Sequence, residues 1–334
     1  MSSRQPHRSR SRTGGAAARR GGDRVRSAAG KAGAARPAPR TVRELVHDAE
    51  SRFKKARLFY GHGTRNAREE AVFLVFGGLG LAFDCPEAKL DRPLPPARIA
   101  RVLDLIAERI RSRRPAAYLL NKAWFAGLEF YVDERVLVPR SPFAELIEQA
   151  FSPWVHPDRV RRIADLCTGS GCIAIACALA FPGAKVDATD ISPDALAVAR
   201  RNVERHDLGG RVRLVQSDLF AGLGRRRYDL IVSNPPYVPV GEMAELPREY
   251  HHEPALGLAA ADDGLAVVVR LLHAAARFLA PDGVLIVEVG DRQDVLSARF
   301  PRAPFLWLDL ERGGDGVFLL EAADVRRHFG EGHR

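Results

Sequence analysis

The tetrapeptide Asn234-Pro235-Pro236-Tyr237 directly follows an apolar segment, Asp229–Val232, that is typical of a buried strand. Two consecutive prolines remove two backbone N–H donors and fix φ at both positions, so they form a rigid turn with carbonyl oxygens free to accept hydrogen bonds. The Asn234 side-chain oxygen and the Pro235 carbonyl oxygen suit the two N–H groups of a planar amide, against which Tyr237 would pack. The pattern predicts a site that positions a weakly basic nitrogen for attack on a sulfonium methyl group, without a strong base.

A glycine-containing loop earlier in the chain predicts nucleoside binding. The loop Asp165-Leu166-Cys167-Thr168-Gly169-Ser170-Gly171 leads into a helix that begins near Cys172. Its glycines allow a close approach of the backbone to a ligand at a helix N-terminus. Asp190, nineteen residues after Gly171, ends the next strand, where a carboxylate can hold ribose hydroxyls. Ser217-Asp218-Leu219 follows a third strand and offers an acceptor and an apolar side chain beside an adenine.

Each feature also has a plain structural interpretation. The loop lacks the third glycine of a dinucleotide fingerprint. Asp190 is consistent with an acid at a helix N-terminus, and the Asn-Pro-Pro-Tyr motif with a turn closed by an aromatic ring. Their occurrence at the ends of four successive strands favours a nucleoside-binding site.

The elements that must position these residues alternate between strand and helix from about Val160 onward. The clearest helix begins at Ser192-Pro193-Asp194, with an N-cap, a proline and an acid in its first turn. Such alternation predicts parallel strands covered by helices on both faces. The last two predicted strands flank the turn Arg312–Asp315 and are expected to be antiparallel. The predicted strands are Arg162–Leu166, Lys185–Thr189, Val212–Val215, Asp229–Val232, Val284–Val289, Phe305–Leu310 and Val317–Leu320.

The region before this alternation is predicted to be helical. Thr41 can cap a first helix, and Pro95-Pro96 can begin a later one. Strand-forming side chains in Ala123–Val138 predict a β-hairpin. The expected division of the chain is a disordered basic tail (1–40), a helical domain (41–116), a linking hairpin (117–142), an α/β domain (143–325) and a C-terminal tail (326–334).

The net charge of +10 belongs to the N-terminal tail. Residues 1–40 contain ten arginines and one lysine against one acid, and the remainder balances 40 basic with 40 acidic side chains. An arginine-rich segment without large apolar residues is expected to be disordered and is suited to ribosomal RNA phosphates. The plainest interpretation is an extension without function, and contact with ribosomal RNA and an organellar transit peptide are the functional alternatives.

The remaining composition indicates neither a metal centre nor a membrane protein. The four cysteines, Cys85, Cys167, Cys172 and Cys177, form no CxxC pair. No apolar run has the length of a membrane span. We therefore expect no metal, no membrane partner and a cytoplasmic location.

The Asn-Pro-Pro-Tyr motif together with Asp-Leu-Cys-Thr-Gly-Ser-Gly resembles the protein-glutamine methyltransferases over roughly Thr41–Glu321. The resemblance implies a class I S-adenosylmethionine-dependent, Rossmann-like fold: a seven-stranded, mostly parallel sheet with an antiparallel C-terminal hairpin, plus a small helical N-terminal domain. It also implies transfer of a methyl group from S-adenosylmethionine to a glutamine side-chain nitrogen. The implied substrate site is Asn234, Pro235, Pro236 and Tyr237, with Asn234 and Pro235 catalytic. The implied cofactor site is Asp165, Cys167, Thr168, Gly169, Ser170, Gly171, Asp190, Ile191, Asp218, Leu219 and Asn234.

Two segments, 117–142 and Arg248–Pro254, resemble the branch of this family that modifies large-subunit ribosomal protein L-three (L3). The release-factor branch usually carries Pro-Arg-Pro-Asp-Thr-Glu where this chain has Pro139-Arg-Ser-Pro-Phe-Ala144, and commonly has glycine at the position of Cys167. The implied partner is L3, free or in assembly intermediates. His251, His252 and Glu253 are interpreted as a structural strap beside the site.

Three other functions stay open on sequence grounds. Glutamine methylation of release factors is the nearest. An adenine-N6 nucleic-acid methyltransferase uses a similar Pro-Pro-aromatic motif but needs apparatus to read and flip a base, and an RNA guanine methyltransferase is a weaker form of that alternative. A non-enzymatic RNA-binding factor would use only the basic tail.

Overall fold

The first part of the described chain is a cluster of helices. A computed structural model describes residues 40–330, so the predictions for residues 1–39 and 331–334 lie outside the described residues. The Thr41 hydroxyl accepts a hydrogen bond from the Glu44 backbone N–H, and the Glu44 carboxylate accepts one from the Thr41 N–H, which forms a capping box. Apolar side chains of the first, second and fourth helices, such as Phe53, Leu74 and Ile106, form the core of this cluster. The helices are α1 (Val42–Ala56), α2 (Ala67–Leu79), α3 (Glu87–Leu90), α4 (Pro96–Ser112) and α5 (Ala116–Leu120).

A short antiparallel hairpin follows, formed by β1 (Ala123–Phe125) and β2 (Leu128–Phe130). Its strands end earlier than the segment Ala123–Val138 predicts. The reason is a side chain: the Tyr131 N–H donates to Asn202 Oδ1 at 2.8 Å, and Asn202 Nδ2 donates to the Tyr131 carbonyl at 3.0 Å. The backbone is therefore paired with a helix side chain in place of a neighbouring strand.

The rest of the chain alternates strand and helix as predicted, and Ser192 caps the helix Pro193–Arg205 with the expected side-chain hydrogen bond. Short 3-10 turns interrupt the alternation at Pro157–Arg159, Val240–Glu245, Tyr250–His252 and Gly290–Arg292. The elements are α6 (Phe143–Glu148), β3 (Arg162–Leu166), α7 (Cys172–Ala180), β4 (Lys185–Asp190), α8 (Pro193–Arg205), β5 (Val212–Gln216), β6 (Tyr228–Ser233), β7 (Val238–Pro239), α9 (Ala255–Leu258), β8 (Ala259–Ala260), α10 (Ala266–Ala275), β9 (Leu279–Glu288), α11 (Gln293–Arg299), β10 (Leu306–Trp307), β11 (Val317–Glu321) and α12 (Ala322–Phe329).

Seven of these strands form one mixed sheet in the order β10-β11-β9-β6-β3-β4-β5. The five strands from β9 to β5 are parallel, and β11 runs antiparallel to both β9 and β10. The predicted class I methyltransferase sheet with its antiparallel C-terminal pair is confirmed. The chain passes from β3 to β4 and β5 on one side and then to β6 on the other, so the strand order reverses at β3. Ligands of open α/β sheets bind at the carboxyl ends of strands beside such a reversal.

Both faces of the sheet are buried beneath helices. Ile175 of α7 and Val203 of α8 belong to the apolar cluster on one face, and Leu271 of α10 and Phe329 of α12 to the cluster on the other. Burial on both faces explains why the central strands read as continuous apolar runs.

The C-terminal boundary differs from the predicted one, because α12 extends to Phe329 and the predicted tail begins at residue 326. Val325 and Phe329 are buried, and the Phe329 ring lies 5.1 Å from that of Phe300. The described residues, 40–330, all belong to one compact unit, which includes the helical segment. No helix within residues 40–330 is long and apolar enough to cross a membrane.

Candidate active site

The loop between β3 and α7 is held from below by a buried carboxylate. Asp165 Oδ2 accepts hydrogen bonds from the Thr168 hydroxyl at 2.5 Å and from the Ala174 N–H at 3.0 Å. Its Oδ1 has no hydrogen-bond partner among residues 40–330. Burial outweighs the two hydrogen bonds and raises the pKa of Asp165 to about 7. Asp165 therefore shapes the loop from beneath.

Asp190 joins this loop to the end of β4. Its Oδ2 accepts a hydrogen bond from the Gly169 N–H at 2.9 Å, and its Oδ1 accepts one from the Ser192 N–H, also at 2.9 Å. Burial raises the pKa of Asp190, and the two backbone donors counteract that effect. Both carboxylate oxygens keep lone pairs for further donors.

The segment after β5 forms the next wall. The Ser217 hydroxyl accepts from the Gly222 N–H at 2.8 Å and donates to the Leu219 carbonyl at 2.8 Å, so it closes a tight turn. Leu219 is buried, whereas the Asp218 carboxylate is half-exposed and lies 2.6 Å from Arg270 of α10. This arrangement puts a polar and an apolar side chain side by side, as the adenine prediction requires.

The Asn-Pro-Pro-Tyr motif leaves β6 at the same edge of the sheet. Ser233, the last residue of β6, donates from its hydroxyl to the Leu166 carbonyl of β3 at 2.8 Å. This bond fixes the motif beside the loop that begins at Cys167. The Tyr237 hydroxyl donates to Glu288 Oε1 at 3.1 Å, at the end of β9. Burial and the adjacent carboxylate raise the pKa of Tyr237, so its hydroxyl stays protonated.

Two glycines determine where the Tyr237 ring lies. A Cβ atom at Gly290 would approach the ring to 2.6 Å, and one at Gly264 would approach the Tyr237 carbonyl oxygen to 2.1 Å. Both have positive φ, of 52° and 85°, a conformation that favours glycine. Only glycine at both positions leaves the aromatic residue where it is.

These four strand ends surround one cavity of about 460 Å³. Most of the predicted site residues line it, so the structure brings together residues from four separate loops. Asp165 lies beneath the loop, and Gly171 packs towards α8, where an added Cβ atom would approach Ala199 to 3.2 Å, so these two predicted site residues are not part of the cavity wall. The predicted residues that do line it are Cys167, Thr168, Gly169, Ser170, Asp190, Ile191, Asp218, Leu219, Asn234, Pro235, Pro236 and Tyr237.

The part of the cavity wall that contains Arg140 is held by an ion pair with the buried Glu253. Arg140 contacts Glu253 through two bonds, Nη1–Oε1 at 2.5 Å and Nη2–Oε2 at 2.8 Å, and the Val138 N–H donates to the same carboxylate at 3.0 Å. Burial alone would raise the pKa of Glu253, but Arg140 and His62 outweigh it and lower that pKa to about 2. The Arg140 guanidinium carbon lies over the Tyr250 ring, 5.2 Å from the centroid of that ring.

Comparison with known proteins identifies the family. Residues 148–245 match the family described as methyltransferase small domain. A ribosomal protein uL3 glutamine methyltransferase of Bordetella pertussis is 50% identical over 84% of this chain and 94% of its own length. The protein of that name from Burkholderia pseudomallei is 47% identical over 86% of this chain and 97% of its own. A solved methyltransferase structure from Pyrococcus furiosus aligns with a TM-score of 0.43 at 22% identity, covering 68% of this chain and 98% of the other.

The chain belongs to the family of ribosomal protein uL3 glutamine methyltransferases.

Within this methyltransferase, the residues that sequence reasoning missed are the supports of the motif. Glu288 accepts hydrogen bonds from the Ser141 hydroxyl at 2.5 Å and from Tyr237, and both Glu288 and Ser141 line the cavity. The available signal was the acid at the end of an apolar strand, Val284–Glu288, which is an unusual place for a charge. Arg140 lay inside a segment used only for its resemblance to the family.

Two further features of this methyltransferase sequence, one departure from the family pattern and one interpretation, can be compared with the structure. Cys167, where the sister branch commonly has glycine, has φ of 59°, in the region that favours glycine. The interpretation of 251–253 as a strap agrees with the contacts of Glu253 described above and with His252 Nε2, which lies 2.9 Å from the Ser112 carbonyl oxygen. Within residues 40–330, no group of three or more His, Cys, Asp and Glu side chains is arranged to hold a metal ion.

Proposed function

We propose that this enzyme transfers a methyl group from S-adenosylmethionine to the side-chain amide nitrogen of one glutamine in ribosomal protein uL3 (L3), in the cytoplasm where ribosomes assemble. The observation that carries the proposal is the cavity that joins the Asn-Pro-Pro-Tyr motif to the three preceding strand ends, in a chain 47–50% identical to relatives of that name.

The cavity fits a methylated nucleoside in size and chemistry. Its volume lies in the range of small-molecule sites, and its wall combines carboxylates with apolar side chains. Asp190 would accept hydrogen bonds from ribose hydroxyls, Asp218 from the adenine amino group, and Ile191 and Leu219 would cover the adenine ring. The loop Cys167–Ser170 would contact the amino-acid portion. When bound, S-adenosylmethionine supplies a methyl group on a positively charged sulfur.

The substrate amide would be oriented by the motif itself. The Asn234 side-chain oxygen and the Pro235 carbonyl would accept its two N–H bonds, while Tyr237, fixed through Glu288, would pack against the amide plane. Orientation lowers the barrier because the amide lone pair is delocalised and reacts only when aimed at the methyl carbon. The nitrogen would gain the methyl group as the bond between that methyl group and sulfur breaks, with the electron pair remaining on sulfur, and it would give up one proton to solvent.

The substrate glutamine must lie on an extended segment to reach this cavity. A glutamine buried in a finished ribosome could not enter, so free uL3 or an assembly intermediate is the expected substrate. The basic tail, with its excess of arginine over acid, would contact ribosomal RNA in such intermediates.

The test offers labelled S-adenosylmethionine together with four acceptors side by side: purified uL3, intact large subunits, a release factor and an adenine-containing oligonucleotide. We expect one labelled glutamine in free uL3 and little label elsewhere. Preferential labelling of the release factor would move the enzyme to the sister branch. A labelled oligonucleotide would overturn the glutamine assignment.

A further inference from the structure

A second cavity of about 380 Å³ lies next to the active-site cavity. Its walls come from the segment Tyr60–Arg65 after α1, the β1–β2 hairpin, the start of α6 and the turn at Arg312-Gly313. Pro139, Arg140 and Ser141 line both cavities. The two spaces therefore share one wall.

That wall is firmly held, so the second cavity is preformed. Arg140 is bound by both oxygens of Glu253, and the Ser141 hydroxyl by Glu288. On the far side, the Glu145 carboxylate accepts hydrogen bonds from the Glu311 and Arg312 N–H groups, both at 2.9 Å. A site that exists before binding loses less conformational entropy when a partner arrives.

The rim of the second cavity carries an exposed tryptophan. Trp124 of β1 is 43% exposed, and its ring lies 5.7 Å from that of Phe83, which is 51% exposed. Large aromatic side chains are enriched where proteins bind proteins, because they bury much area with few rotatable bonds. Two glycines that line the cavity leave open space beside them: a Cβ atom at Gly313 would meet nothing within 4 Å, and one at Gly63 only Val138 at 3.9 Å.

From this placement we infer that the second cavity binds the polypeptide segment adjoining the target glutamine of the substrate protein. A glutamine side chain looks the same in every protein, so the active-site cavity alone cannot select one glutamine. An extended chain advances only about 3.3–3.6 Å per residue. The substrate residues on either side of the target glutamine must therefore contact surfaces next to the active-site cavity. The second cavity is such a surface. The inference rests on the proposed function, since it assigns the substrate's neighbouring residues to this site.

The test measures steady-state kinetics with purified uL3 as methyl acceptor. Ala144→Phe adds a ring to a residue that lines only the second cavity, with Ala144→Ser as the matched control that leaves the space open. Trp124→Ala removes the aromatic rim. Its control is Leu306→Ala on the edge strand β10, where the side chain is similarly exposed, at 45%.

We expect Ala144→Phe and Trp124→Ala to raise the KM for uL3 by about tenfold or more. The kcat at saturating uL3, the Kd for S-adenosylhomocysteine and the Tm should stay at wild-type values, and both controls should behave as wild type. An unchanged KM for uL3 in both variants overturns the inference, as does an equal loss in kcat, which would mean that the residues act through the active-site wall. Absence of uL3 methylation by the wild-type enzyme would count against the proposed function instead.

Discussion

The Asn234 side chain and the Pro235 carbonyl are the two groups expected to contact the reacting amide. Asn234 lines the cavity at the end of β6, and it follows Ser233, whose hydroxyl is bound to the neighbouring strand. The orienting side chain thus extends from rigid backbone, which a site that works by positioning requires.

Asn234→Ala should lower kcat/KM for uL3 by a factor of at least about 10², because the amide nitrogen loses one of its two orienting acceptors. Asn234→Asp should also fail, since it brings a charge into a site suited to a neutral amide. Methyl transfer to uL3 is the measurement, and the affinity for S-adenosylhomocysteine and the Tm are the checks on folding. Wild-type activity in either variant would remove the proposed mechanism.

Asp190→Ala should weaken binding of S-adenosylhomocysteine by about 1.5–3 kcal/mol, because charge-assisted hydrogen bonds to the ribose are lost. Isothermal titration calorimetry measures this directly. Asp190→Asn, which keeps the side-chain volume and one acceptor oxygen, should lie between the wild type and the alanine variant. An affinity that does not change would mean that Asp190 only holds the Gly169 and Ser192 N–H groups.

The sequence predicts most of the residues whose chemical groups line the cavity, but it does not predict the residues that hold them in place. Arg140 and Glu253 lie 113 residues apart, and Ser141 and Glu288 lie 147 apart. Pairs so distant in the chain have no local pattern, and only the fold brings them together. Asp165 shows that proximity in the sequence can also mislead. Its neighbours in the chain line the cavity, which predicts Asp165 there too, but its side chain lies beneath the loop and accepts a hydrogen bond from the Ala174 N–H.

At the level of elements, the Gly290–Arg292 turn after β9 and the segment after β6 depend on each other. The Tyr237 ring occupies the space that any side chain at Gly290 would need. The position of the aromatic residue is therefore determined by the turn as well as by the two prolines that precede it.

Gly290→Ala should lower both stability and uL3 methylation, because its methyl group would displace the Tyr237 ring. Gly224→Ala is the matched control: it has a similar positive φ, of 66° against 52°, but open space around its Cβ atom. Both variants should lose roughly 1–2 kcal/mol of unfolding free energy through backbone strain. Only Gly290→Ala should also lower kcat/KM, and an equal kinetic effect of the two variants would contradict the role of the turn.

The central strands were predictable because they are buried on both faces. The edge strands are partly exposed, and the predicted strand Phe305–Leu310 extends well beyond β10, which has only two residues. The predicted strand Lys185–Thr189 differs from β4 only by Asp190, and the predicted Val212–Val215 differs from β5 only by Gln216. The first hairpin and the last helix were less predictable. The hairpin ends where a side chain, Asn202, pairs with the backbone, and α12 is held by contacts of Phe329 with residues far away in the sequence.

At the scale of the whole molecule, the stability of the folded state carries the signature of a buried acid. The raised pKa of Asp165, about 7 against its ordinary value of 3.8, means that the folded protein retains a proton that the unfolded chain has already released. The contribution of Asp165 to the free energy of unfolding should therefore fall as the pH rises from about 4 to about 7, and it should level off above 7.

In Asp165→Asn the side chain at this position cannot titrate but keeps an oxygen for the Thr168 and Ala174 donors. The variant should therefore not show this fall in the free energy of unfolding. The difference in Tm between the variant and the wild type should shift in favour of the variant as the pH rises through that window. Thermal unfolding followed by circular dichroism at intervals between pH 4 and pH 8 measures it. A difference that does not vary with pH would show that Asp165 is ionised throughout.

Charge separates this chain into a basic N-terminal segment and a balanced remainder. The separation predicts that recognition of uL3 does not depend on the basic segment. The structure indicates where to divide them: the Leu94 N–H donates to the Arg40 carbonyl at 2.8 Å, and the Arg40 N–H donates to Glu44 at 2.6 Å. A deletion should therefore end at residue 39, one residue before the boundary expected from composition.

Deleting residues 1–39 should leave kcat and KM for free uL3 unchanged, because every residue that lines either cavity lies beyond residue 59. If the tail neutralises phosphates, the deletion should weaken binding to ribosomal assembly intermediates. The wild-type affinity for those particles should fall steeply with salt, whereas that of the deletion variant should fall less, by about 0.7–0.9 in logarithmic slope for each phosphate contact removed. Replacing the basic residues of the tail by glutamine at constant length is the matched control for chain length and should behave like the deletion. Reduced turnover on free uL3 would instead make the tail part of the catalytic body, and equal salt slopes would assign it no contact with RNA.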